Sequence, residues 1–136
     1  MQQKNPLGII IADDDLDEID LLKVAFEKHP GFEIIDCVNN GQGIIDAVAK
    51  SKKRPDVILT DMYMPIVNGL EATEILRTKE ENASIPVIIF STTINSSITE
   101  KASFLGIIGT LIKPFTFDNY NTLPDQVIKM LEDSKS

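Results

Sequence analysis

Acidic, hydroxyl and basic side chains stand at the ends of successive apolar segments of this sequence. In chain order, these segments are followed by Asp13-Asp14-Asp15, Asp61, Ser91-Thr92-Thr93 and Lys113-Pro114. If the fold gathers them, the carboxylates need a counter-charge, because two carboxylates about 4 Å apart repel by ~1–4 kcal/mol. Lys113 supplies one positive charge, and a hard divalent cation with oxygen ligands supplies the remainder.

Such a cluster is suited to phosphoryl transfer. Mg²⁺ binds through one or two carboxylates and keeps positions free for phosphate oxygens. Asp61 is then the natural nucleophile, because a carboxylate can form an acyl phosphate. The metal, the Ser91 hydroxyl and Lys113 would neutralise the charge on the transferred group. Each of these residues, taken alone, could also belong to a solvated turn, a helix cap or a surface pair. Their occurrence at the ends of successive apolar segments favours a shared role in one site.

Apolar runs alternate with segments of helical periodicity along the whole chain. The predicted strands are Gly8–Ala12, Phe32–Val38, Val57–Thr60, Pro86–Phe90 and Thr110–Ile112. The predicted helices are Leu16–Lys28, about Gln42–Lys50, about Leu70–Thr78, about 97–105 and about Leu123–Leu131. Most of the strand runs are continuously apolar, which is typical of strands buried on both faces. Asp15 with Glu18, and Thr122 with Asp125, have the spacing of helix caps.

Five consecutive βα units with right-handed crossovers predict an α/β fold, in which a parallel sheet carries helices on both faces. In open sheets of this kind, ligands bind outside the carboxyl ends of the strands. All of the candidate site residues follow a predicted strand, so we expect them at one edge of the sheet. The pattern predicts a single domain over residues 1–136, with its core at about 7–131 and no output domain.

The charge and composition of the chain argue against several kinds of partner and cellular location. The net charge of −8 argues against nucleic acid or an anionic membrane as the main partner. A single cysteine, Cys37, excludes an intrachain disulfide. No apolar run has the length of a transmembrane helix, and residues 1–5 lack the core of a signal peptide, so a cytoplasmic location is expected.

Four motifs together resemble the receiver domain of two-component response regulators, in particular the chemotaxis-regulator type. They are Ile9-Ile10-Ile11-Ala12-Asp13-Asp14-Asp15, Asp61-Met62-Tyr63-Met64-Pro65 with Asn68-Gly69, Phe90-Ser91-Thr92 and Lys113-Pro114-Phe115. The similarity extends from Leu7 to about Leu131. It implies a doubly wound, flavodoxin-like (βα)5 sheet with strand order 2-1-3-4-5.

The resemblance also implies a role for each matching residue. Asp61 corresponds to the phosphoacceptor, and the metal ligands are Asp13, Asp14, Asp61 and the backbone carbonyl of Tyr63. Phosphoryl binding and switching correspond to Ser91, Thr92 and Lys113, and the bond between Lys113 and Pro114 is expected to be cis. The cofactor would be Mg²⁺, with Mn²⁺ as a substitute.

Partners follow from the same resemblance. The phosphoryl donor would be a sensor histidine kinase or a histidine phosphotransfer protein, and the output would pass to an unknown downstream protein. Neither nucleic acid nor membrane is expected to bind, and the chain would be a monomer or a weak dimer. One position departs from the family pattern: Thr110 replaces the aromatic residue usual three positions before the lysine. The usual relay between hydroxyl and aromatic side chain is therefore altered.

Two other functions share part of this pattern. A module that keeps the fold but signals without phosphorylation is favoured by Thr110 and opposed by the intact acidic, hydroxyl and lysine set. A phosphatase of the haloacid dehalogenase type would need a second acid two residues after its nucleophile, where this chain has Tyr63. The chain is thus expected to be a signalling domain and not an enzyme acting on external substrates.

Overall fold

A computed structural model describes residues 5–93 and 95–135. The strands are β1 (Leu7–Ala12), β2 (Phe32–Val38), β3 (Val57–Asp61), β4 (Val87–Ser91) and β5 (Gly109–Ile112). The α-helices are α1 (Leu16–Lys28), α2 (Gly41–Lys50), α3 (Gly69–Arg77), α4 (Ser96–Phe104), α5 (Phe117–Tyr120) and α6 (Leu123–Ser134), and a 3₁₀ turn spans Glu80–Asn82. Each predicted strand and helix is present, with bounds that differ by a few residues at most.

The five strands form one parallel sheet in the order β2-β1-β3-β4-β5, which confirms the predicted doubly wound architecture. Every residue of β3 and β4 is buried, as the apolar runs 57–59 and 87–90 at their start indicate. Alternate residues of a strand point to opposite faces. Ile10, Ile58 and Ile89 therefore join one core layer, together with side chains of α2, α3 and α4. Ile9, Leu59 and Phe90 belong to a second layer, with side chains of α1 and α6.

Short polar caps begin the helices that follow the strands. The Asp15 carboxylate accepts a hydrogen bond from the Asp17 amide at 2.9 Å, so the predicted cap of α1 is confirmed. Asn40, Asn68 and Asn95 cap α2, α3 and α4 in the same way. These caps start each helix after the loop that follows the carboxyl end of a strand.

The predicted cap at Thr122 is wrong. Thr122 has helical backbone angles, because it follows α5 almost without interruption, and its hydroxyl donates to the Asn119 carbonyl at 2.7 Å. A capping side chain needs an extended backbone to reach the first free amides of the helix. Pro124 does lie in the first turn of α6, as expected.

The bond between Lys113 and Pro114 is trans, which corrects the expected cis bond. The two isomers of an X–Pro bond differ by only about 0.5–1 kcal/mol, so a resemblance in sequence does not determine which one is adopted. Within residues 5–93 and 95–135, no helix is both long enough and apolar enough to cross a membrane.

Candidate functional site

The site lies where β1, β3, β4 and β5 end. Asp13 follows β1 and is fully buried, whereas the neighbouring Asp14 is exposed. Asp61 is the last residue of β3 and is 7% exposed. Because parallel strands end at the same edge, carboxylate oxygens of Asp13, Asp14 and Asp61 come within 4.8 Å of one another. The predicted acidic cluster is therefore present.

Lys113 supplies the counter-charge inside this cluster. Its Nζ atom lies 2.9 Å from Asp13 Oδ2 and 3.5 Å from Asp61 Oδ2, and the side chain is 9% exposed. Burial alone would lower the pKa of Lys113, but the close ion-pair contact with the charged Asp13 carboxylate, followed by the charge of Asp61, raises it on balance. Lys113 is therefore cationic at neutral pH and compensates part of the acidic charge.

The environment of Asp61 favours a carboxylate that is easily protonated in the absence of metal. Burial raises its pKa first, the charge of Asp13 raises it further, and Lys113 only partly opposes them; the result is a pKa of about 6. An adjacent cation would reverse this by favouring the ionised, nucleophilic form.

The three carboxylates leave oxygen atoms available for a divalent cation. Asp13 Oδ1 accepts the Asp15 amide at 3.0 Å, whereas Asp13 Oδ2 is buried and accepts no well-oriented hydrogen bond, although Lys113 Nζ is in ion-pair contact with it. An acceptor in this state has a lone pair available for a cation. Three carboxylates offer only oxygen atoms, the donor type that Mg²⁺ prefers. The residues therefore fit the expected cofactor.

The other predicted site residues differ in their burial and in their contacts with Asp61 and Lys113. Ser91, at the end of β4, is buried, and its backbone carbonyl accepts the Lys113 amide at 2.8 Å, so a backbone hydrogen bond joins the two residues. The Tyr63 amide lies 3.5 Å from Asp61 Oδ1, a long hydrogen bond, and the Tyr63 side chain is exposed. Thr92 is exposed beyond β4. The roles of these residues remain predictions.

Thr110 lies away from this edge. It is half-buried in β5 and pairs with Ile89 of β4. Because paired residues of parallel strands share a face of the sheet, Thr110 faces the core layer that contains Ile89.

Two residues that support Asp61 were given no role of their own from the sequence, although Gly69 was part of a matching motif. The hydroxyl of Thr60, fully buried, donates to the Asp61 carbonyl at 2.9 Å. Gly69 begins α3 so close to the same carbonyl that a Cβ atom would lie 2.5 Å from the oxygen. Only a glycine allows this approach, and the Asn68-Gly69 pair was the signal in the sequence.

Glu18 and Tyr120 were also missed. Glu18 has the spacing of a capping partner for Asp15, but its carboxylate accepts the Tyr120 hydroxyl at 2.6 Å instead. Tyr120 is buried against Phe90, the residue before Ser91, in an edge-to-face contact with 6.4 Å between ring centroids. No local pattern predicts a contact between residues 102 positions apart.

The free energy of unfolding should depend on pH through the titration of Asp61. In metal-free protein, we expect the free energy of unfolding to rise as the pH falls from about 7 to about 5. The pKa of Asp61 in the folded state, about 6, exceeds its ordinary value of 3.8. At pH values between 3.8 and about 6, the folded state therefore binds more protons than the unfolded state. The stabilisation is gained as the pH falls through about 6.

Urea unfolding in the presence of EDTA at several pH values measures this dependence. An Asp61→Asn variant provides the control, because its stability should vary less over the same range. Equal slopes for the two proteins would show that Asp61 does not titrate as described.

Comparison with known proteins shows the family to which this chain belongs. A family model described as the response regulator receiver domain matches residues 9–123. The protein PilH of Pseudomonas aeruginosa is 42% identical over 84 residues, which cover 62% of this chain and 66% of PilH. The regulatory protein AtoC of Escherichia coli is 30% identical over 122 residues, covering 90% of this chain and 25% of AtoC. The matches thus span about two thirds of the first relative and a smaller part of the second.

Solved structures show the same fold. The phosphorylated cyanobacterial phytochrome response regulator RcpA superposes with a TM-score of 0.82 at 19% identity, covering 94% of this chain and 95% of RcpA. Chemotaxis protein CheY4 of Vibrio cholerae superposes with a TM-score of 0.79 at 20% identity, covering 93% of this chain and 99% of CheY4. The family model covers most of the chain, so this protein belongs to the response regulator receiver domain family of two-component signalling.

Proposed function

We propose that Asp61 accepts a phosphoryl group from a phosphohistidine of a cytoplasmic sensor kinase or phosphotransfer protein, in a reaction that requires Mg²⁺. The observation that carries the proposal is the gathering of Asp13, Asp14, Asp61 and Lys113 at one edge of the sheet. Receiver domains are signalling domains, and the modified chain would act by changing the surface that it offers to a downstream protein.

The transfer step follows from the chemistry of the carboxylate. An oxygen of Asp61 forms a bond to phosphorus while the bond between phosphorus and the donor's imidazole nitrogen breaks, and the electron pair of that bond stays on the imidazole. Lys113, already 3.5 Å from Asp61 Oδ2, is close enough to neutralise an oxygen of the transferred group. The buried Ser91 hydroxyl is our candidate for a further donor.

Asp13, Asp14 and Asp61 would hold Mg²⁺ through their carboxylates, and the Tyr63 carbonyl is the proposed fourth protein ligand. The bound ion would neutralise negative charge on the phosphoryl oxygens and keep Asp61 ionised. In the metal-free site the pKa of Asp61 is about 6, so a fraction of Asp61 is protonated near neutral pH. A bound ion would convert this fraction to the nucleophilic carboxylate. Mn²⁺, which also prefers oxygen ligands, should serve as a substitute.

Intact-mass spectrometry after incubation with acetyl phosphate tests the proposal. We expect one phosphoryl group per chain with Mg²⁺ or Mn²⁺, and almost none with EDTA, because only a cation can offset the charge of the cluster and the donor together. An adduct that forms equally well in EDTA would contradict the metal site. If neither condition gives an adduct but a phosphohistidine donor does, the site is selective for its donor; if none labels the chain, the phosphorylation-independent module is favoured.

A further inference from the structure

A chain of side-chain contacts leads from the acidic site to helix α1. Lys113 Nζ lies 5.6 Å from the centroid of the Phe90 ring, within the range of cation–π attraction. Phe90 contacts Tyr120 edge to face, with an interplanar angle of 78°. Tyr120 donates to Glu18 at 2.6 Å. These contacts join the residue after β5 to β4, α5 and α1, and Phe90 and Tyr120 belong to the core layer opposite the one that Thr110 faces.

Tyr120 is buried, although the helix to which it belongs, α5, has only four residues. Its side chain is 5% exposed, and a buried phenol needs a hydrogen-bond partner. Burial and the hydrogen bond to Glu18 raise the pKa of Tyr120, so the hydroxyl stays protonated and remains a donor. The Glu18 carboxylate is also near enough to contribute to the raised pKa of Lys113. The pair is therefore linked to the site by packing and by charge.

We propose that Tyr120 is a positioning residue for Lys113, and that the contacts Lys113–Phe90–Tyr120–Glu18 transmit the phosphorylation state of Asp61 to α1 and α5. The inference rests on the proposed function. A phosphoryl group on Asp61 adds negative charge and acceptor oxygens beside Lys113. A shift of the ammonium changes its contact with the Phe90 ring, and close packing passes the change to Tyr120.

The chain contains only two tyrosines, Tyr63 and Tyr120, so labelling with 3-fluorotyrosine should give two ¹⁹F NMR resonances. The resonance that is missing in Tyr120→Phe is that of Tyr120. We expect it to shift when the wild-type protein is phosphorylated with acetyl phosphate and Mg²⁺, and to return as the phosphoryl group is lost. Mass spectrometry of the same sample reports the extent of phosphorylation.

Rate measurements separate positioning from simple stabilisation. Tyr120→Phe should change the rate constant of phosphorylation roughly two- to tenfold, the range expected for the loss of one hydrogen bond. Glu18→Gln keeps an acceptor and should stay within about twofold of wild type. Asp20→Asn, an exposed charge on the same helix, is the matched control and should leave the rate unchanged.

The outcomes distinguish this inference from the proposed function. A phosphorylated protein whose Tyr120 resonance does not move, or a Tyr120→Phe variant that is less stable in urea but phosphorylates at the wild-type rate, would overturn the role of Tyr120 alone. A wild-type chain that takes up no phosphoryl group from acetyl phosphate or a phosphohistidine donor would overturn both.

Discussion

An Asp61→Asn variant is expected to take up no phosphoryl group under conditions in which the wild-type chain takes up one. The substitution keeps the size of the side chain and removes the nucleophilic carboxylate. Asp61 is the acid at the end of β3, 3.5 Å from Lys113 Nζ, and the Asp13 carboxylate is fully buried in contact with the same ammonium. Asp13 is thus an unsuitable alternative acceptor. We expect at least a hundredfold loss, or about 2.7 kcal/mol in activation free energy, and the measurement is intact-mass spectrometry over time.

Two controls make the result interpretable. Asp20→Asn changes an exposed acid on α1 and should label as the wild type does. Circular dichroism and urea unfolding should show that Asp61→Asn is folded; removing one charge from a crowded acidic cluster should not destabilise it. Full labelling of Asp61→Asn would mean that another residue is the phosphoacceptor.

Replacing Lys113 with methionine should cause the largest loss of stability among single substitutions at the site. Lys113→Met retains most of the aliphatic volume but leaves the buried Asp13 carboxylate without its counter-charge. Breaking a buried ion pair from one side typically costs ~3–5 kcal/mol. We expect a loss near the lower value at neutral pH without metal, because Asp61, whose pKa is already about 6 and would rise further without Lys113, can take up a proton. Urea unfolding measures the loss.

Added Mg²⁺ should restore part of this stability, since the ion replaces the missing positive charge. Lys129→Met on the exposed side of α6 is the matched control, and a change within about 0.5 kcal/mol is expected there. A loss of less than about 1 kcal/mol for Lys113→Met, with no response to Mg²⁺, would show that Lys113 does not compensate the cluster.

The sequence determined the elements and the edge at which they place the site. Continuous apolar runs identified the strands, because side chains buried on both faces of a parallel sheet leave no polar alternation. Residues directly after such runs must meet at the carboxyl edge, so Asp13, Asp61 and Lys113 were predicted together without any distance being known. The cap at Asp15 was also predictable, because capping depends on only a few consecutive residues.

Only the tertiary structure decided how these side chains are paired and buried. It separates Asp13 from Asp14, placing one beneath Lys113 and leaving the other exposed, although the sequence presents them as equivalent neighbours. It also joins Tyr120 to Glu18 and leaves the Lys113–Pro114 bond trans. Patterns in sequence report the period of a helix or strand, whereas such contacts depend on side-chain direction and on packing between elements distant in the chain.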